Sequence, residues 1–115
     1  MRVLYITKNS DRPESATIIG MRDRGVDVVV MADVRSPHVQ RIQAAGIEVH
    51  DVPLDRKLDR EALRLIRQTV ESTGVDIVHA FTNRTVLHMV LATRGLPVKL
   101  VAYRGVIGNV SWWSP

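Results

Sequence analysis

The chain has 115 residues, enough for one domain with a core of modest size. Its 45% hydrophobic and 24% charged residues are those of an ordinary globule, and the absence of cysteine excludes a disulfide framework and thiolate chemistry. A net charge of +4 points to anionic partners, a phosphate-bearing ligand or an acidic lipid surface, whereas thirteen scattered arginines without interleaved aromatics argue against nucleic acid.

The first element is a strand, Arg2 to Thr7, apolar almost throughout and far too short for a signal-peptide core or a membrane span. The polar loop Lys8 to Arg12 leads to a helix with Pro13 in its first turn. Val26 to Ala32 is a second strand, and Ser36-Pro37 opens a second helix as N-cap and first residue. Ile47 to Val52 alternates apolar and polar residues, which marks a less buried edge strand. Leu58 to Glu71 is the clearest helix, with Leu58, Ala62, Leu65, Ile66, Thr69 and Val70 on one apolar stripe. Val75 to Phe81 forms a fourth strand, Asn83 to Thr93 an apolar helix, and Lys99 to Tyr103 a fifth strand.

Each helix-like stretch stops at a glycine followed by an aliphatic residue: Gly25-Val26, Gly46-Ile47, Gly74-Val75 and Gly95-Leu96. A glycine just past a helix accepts the left-handed conformation, and the aliphatic residue starts the next strand. Repetition of the signal predicts βαβ units in a single domain, an α/β Rossmann-like doubly wound parallel sheet of five strands with helices on both faces. Right-handed crossovers with a reversal after the first strand give the order 3-2-1-4-5, with Val28, Val30, Ile77 and Val101 in the core. A ligand crevice then falls at the switch point, lined by residues 7–12, 81–84 and 104–109.

The first loop has no glycine, so neither the dinucleotide fingerprint nor a P-loop is present. His38, His50, His79 and His88 show no metal-ligand spacing, and His88, on an apolar helix, reads as a packed, hydrogen-bonded residue. Asp33, Asp51 and Asp55 are not expected to cluster as a receiver-type acidic site would require. The segment Asp76-Ile77-Val78-His79-Ala80-Phe81-Thr82-Asn83-Arg84 carries more: a buried strand delivers a histidine, then a polar turn in which Thr82 or Asn83 caps a helix. Arg104-Gly105 at the next strand end would offer a guanidinium to the same crevice.

Asp76-Ile77-Val78-His79-Ala80, with the strand start Arg2-Val3-Leu4-Tyr5-Ile6 and the segments from Arg24 to Val30 and Ala44 to Val49, resembles the N-terminal domain of retaining group 1 glycosyltransferases of the two-domain GT-B fold. The resemblance implies a transferase of hexosyl type whose N-terminal domain binds the acceptor. A C-terminal domain would hold the nucleotide-sugar, without metal or other cofactor, in the cytoplasm or peripherally at the inner face of its membrane. The crevice at the strand ends gives the candidate substrate-binding set Lys8, Asn9, Ser10, His79, Asn83, Arg84, Arg104, Gly105 and Asn109. Two departures stand out: Lys8-Asn9-Ser10 replaces the family's Gly-Gly turn, and Arg104 replaces a histidine common before the glycine after the fifth strand. Since the donor domain is absent, residues 1–115 read as the front half of such an enzyme, inactive alone. Trp112 and Trp113 are expected to pack against a neighbouring copy. The alternative is a stand-alone α/β ligand-binding or oligomerisation module.

Overall fold

A computed structural model describes residues 1–8, 12–52 and 54–102. The elements follow in strict alternation: β1 (Arg2–Ile6), α1 (Arg12–Asp23), β2 (Asp27–Ala32), α2 (Pro37–Ala44), β3 (Glu48–Asp51), α3 (Arg60–Thr73), β4 (Ile77–Ala80), α4 (Asn83–Ala92) and β5 (Lys99–Ala102). The strands form one sheet in the order β3-β2-β1-β4-β5, every pair parallel. This is the doubly wound, Rossmann-like arrangement that the alternation predicts. The four terminating glycines all have positive φ, from 65° at Gly74 to 92° at Gly25. Gly74 is the C-cap of α3 and its N–H bonds back to Val70 O, a geometry that a side chain would strain.

Because β1 and β2 are central, both of their faces are buried, and each face has its own core. Leu4, Ile6, Val29, Met31 and Val78 face Ile66 of α3 and Met89 of α4. Val3, Tyr5, Val28 and Val30 face Ile18 of α1 and Val39 and Ile42 of α2. The weak alternation of β3 fits its observed place at one edge, where its burial is only partial.

Two sequence expectations need correction. Val28 and Val30 are buried and Ile77 is half-buried, but Val101 is 41% exposed. It lies on the outermost strand, in register with His79, on the face that α1 and α2 cover farther along the sheet. Its neighbour Ala102 points to the α3–α4 core instead. The second correction concerns Leu58, which lies outside α3 and is 49% exposed. Asp59 is the N-cap, its Oδ1 accepting from Ala62 N at 3.1 Å, so the helix begins two residues after Leu58.

Candidate functional site at the strand ends

In a doubly wound sheet the loops after β1 and β4 flank the switch point, and here β1 and β4 are neighbours. The structure places Lys8 directly after β1 and Asn83 at the start of α4, exposed. Thr82 caps α4 through a reciprocal pair with Thr85: its backbone N–H donates to Thr85 Oγ1 at 2.9 Å, and its Oγ1 accepts from Thr85 N at 3.3 Å. Asn9, Ser10, Arg104, Gly105 and Asn109, together with Trp112 and Trp113, lie outside the described residues.

His79 is built into the sheet. Its ring stacks on Phe81 at a centroid distance of 4.8 Å and lies 5.2 Å from Tyr5, its register partner on β1. Its Nε2 is buried and has no hydrogen-bond partner among the described residues. Burial holds the imidazole below its ordinary pKa, since charging it there would forfeit hydration. The unfolded chain therefore takes up the proton first, and this group's contribution to stability is full above about pH 6.5 and declines as the pH falls below it. A His79→Phe variant is expected to flatten the stability loss between about pH 7 and pH 5, read from urea melts at several pH values. Parallel profiles for the two proteins would show that His79 does not titrate with folding.

Arg84 does not reach into open space. Its Nη1 donates to Leu54 O at 2.9 Å, fastening the β3–α3 loop to α4. His88, one turn on and fully buried, holds the same loop: its Nδ1 donates to Arg84 O at 2.7 Å and its Nε2 accepts from Asp59 N at 2.9 Å. His88 is thus the packed, hydrogen-bonded residue that its apolar helix predicts.

The sequence did not reveal what assembles beyond Lys8. Lys8 Nζ lies 3.6 Å from Asp55, and Arg35 bridges Asp33 at 2.6 Å and Asp55 at 3.8 Å. Asp51 Oδ1 accepts from Val34 N at 3.3 Å. Contrary to the expectation that these acids stay apart, Asp33, Asp51 and Asp55 converge at the carboxyl ends of β2 and β3. Lys8 and Arg35 supply the cations for Asp33 and Asp55, and Asp51 accepts from a backbone N–H, so the acids are held in one hydrogen-bonded network. The Asp33 carboxylate, held by the Arg35 side chain and backbone N–H, is lowered to a pKa of about 2 and stays ionised near neutrality. The link from loop to loop is set by the fold, which is why spacing in the chain does not show it.

Much of the positive charge is structural. Arg2 Nη1 donates to Thr73 O at 2.6 Å at the end of α3, Arg22 to Ala45 O after α2, and Arg67 to Arg94 O at 2.9 Å just beyond α4. Guanidinium groups at helix C-termini satisfy orphan carbonyls and complement the macrodipole.

An open five-stranded parallel sheet in this order, with helices between successive strands, defines a Rossmann-like α/β domain. The sequence profile of the glycosyl transferase 4-like domain matches residues 16–113, and the chain belongs to that family. Among solved structures it is similar to a glycosyltransferase from Rickettsia africae, with a TM-score of 0.71 and 13% identity over 97% of this chain and 33% of that one. It is similar also to MurG of Acinetobacter baumannii, with a TM-score of 0.71, 14% identity and coverage of 88% and 34%. A third is the Streptomyces glycosyltransferase SsfS6, with a TM-score of 0.63, 18% identity and coverage of 89% and 38%. The chain thus spans about a third of the length of these structures. No curated protein matches the sequence significantly.

Proposed function

We propose that residues 1–115 are the acceptor-binding, N-terminal part of a retaining glycosyltransferase of the GT-B type, which moves a hexosyl group from a nucleotide-sugar to an acceptor. The observation that carries this reading is the family match over residues 16–113, on a sheet whose β4 brings the Asp76–Ala80 segment beside β1 at the switch point. In this reading the strand-end loops position the acceptor, and a second domain holds the donor's nucleotide. The first loop favours that division of labour. Lys8-Asn9-Ser10 offers no glycine for close backbone approach to a diphosphate, and the Lys8 ammonium already faces Asp55.

Titration calorimetry of the 115-residue chain with UDP-, GDP- and ADP-sugars tests the proposal. The expected result is binding in the millimolar range or weaker, worth no more than about 4 kcal/mol, and no sugar transfer. A micromolar dissociation constant for any of the three would place the donor site in this domain and overturn the division proposed.

A further inference from the structure

The two faces of the sheet are covered unequally at β4 and β5, although parallel strands are usually sheltered on both sides. On one side α4 packs against both strands, over Val78, Ala80, Leu100 and Ala102. On the other side α1 packs against β2 and α2 against β3, in the far half of the sheet. The residues that β4 and β5 turn to that side are Ile77 and His79, both half-buried, and their register partners Lys99 and Val101, both exposed. His79 Nε2, on the same pair of strands, is buried without a hydrogen-bond partner among the described residues, whereas buried polar atoms are ordinarily paired. This face lacks both apolar cover and a polar partner.

Residues 103–115, outside the described residues, follow β5 directly and carry the side chains that such a face requires. Val106, Ile107, Val110, Trp112 and Trp113 are apolar, and no acid stands anywhere in the segment. Each tryptophan ring can bury on the order of 150–250 Å². Asn109, Ser111 and the indole N–H groups can donate to an imidazole nitrogen. Reach is ample, since thirteen extended residues span about 40 Å and the four residues of β5 only about 13 Å. Attachment two residues from Val101 favours this occupant over a neighbouring copy, because a contact within one chain forfeits no translational freedom.

We propose that residues 103–115 fold back over the open β4–β5 face and seat a tryptophan against Val101 and His79. This inference is independent of the transferase reading. Trp112 and Trp113 are the only tryptophans in the chain, so their emission reports the contact directly. The 115-residue chain is expected to be monomeric in light scattering, with blue-shifted emission and iodide quenching several-fold weaker than that of free tryptophan amide. V101D, a change at an exposed position, should shift the emission to the red and raise quenching several-fold. L87D, at an exposed position on α4, should alter neither. Because the chain has no cysteine, paired substitutions give a second reading. At least one of V101C/N109C, V101C/S111C and V101C/S114C should close a disulfide within one chain, a bond that needs Cα atoms within about 7 Å. The same three partners paired with L87C should stay reduced. Readily quenched indoles in the parent chain would overturn the proposal, as would equal effects of V101D and L87D or equal cross-linking in the two sets of pairs. Cross-links between chains, or a dimer whose dissociation exposes the indoles, would assign the tryptophans to a neighbouring copy and overturn it as well.

Discussion

Replacing His88 by alanine is expected to cost the fold about 3–4 kcal/mol and to lower the melting temperature by roughly 10 °C or more. The imidazole is fully buried, and both nitrogens are used. Because Nδ1 faces a carbonyl and Nε2 faces an N–H, the ring must be neutral with its proton on Nδ1. Alanine leaves a cavity where the ring is now fully buried, and it leaves the Asp59 N–H without an acceptor. Leucine would fill the space but not restore the acceptor. Glutamine, whose side-chain carbonyl can accept from Asp59 N, should recover part of the loss. Chemical denaturation of the three variants gives the ranking, and amide exchange at Asp59 reports the loop directly. An alanine variant within about 1 kcal/mol of the parent would mean that the β3–α3 loop is held without His88.

The consequences of that variant reach the strand ends. Leu54 to Asp59 is the segment on which four residues from three parts of the chain converge: Arg84 and His88 from α4, Lys8 from the stretch after β1 and Arg35 from the β2–α2 turn. Loosening the loop would also release Asp55 from its two cations. Stability and the geometry of the candidate site are therefore coupled through one buried histidine.

The sheet order was legible because its cause is local. Runs such as Val28-Val29-Val30 declare buried strands, and glycines at 25, 46, 74 and 95 end each helix or its following turn with positive φ. The handedness of crossovers then leaves few topologies. The site was legible only in part. The Thr82 cap and the packed role of His88 follow from neighbouring residues. The fastening of Arg84 to Leu54, thirty positions away, does not, and neither does the meeting of Asp33 with Asp55 across Arg35. Such contacts depend on how loops fold over the strand ends, and no periodicity records that. Val101 shows the converse limit: a β-branched residue in a strand is core only when its face is covered.

The clearest separation of local pattern from tertiary fact is a pair of substitutions on what reads as a single stripe. Leu58 and Ile66 are eight residues apart and fall on the same face of an ideal helix. Ile66→Ala is expected to cost about 3–4 kcal/mol, because the side chain is fully buried between α3 and the sheet and its removal leaves a cavity. Leu58→Ala should change stability by less than about 0.5 kcal/mol. The difference arises at Asp59. By capping the helix there, it leaves Leu58 outside the first turn, with its side chain half exposed. Urea denaturation of the two variants measures both costs. Comparable losses would mean that α3 extends through Leu58 in solution and that the leucine is packed, which would also remove it from the exposed surface beside Arg56 and Lys57. A large loss at Ile66 alone would fix the start of the helix at Arg60 and leave Leu58 a side chain that contributes nothing to the core.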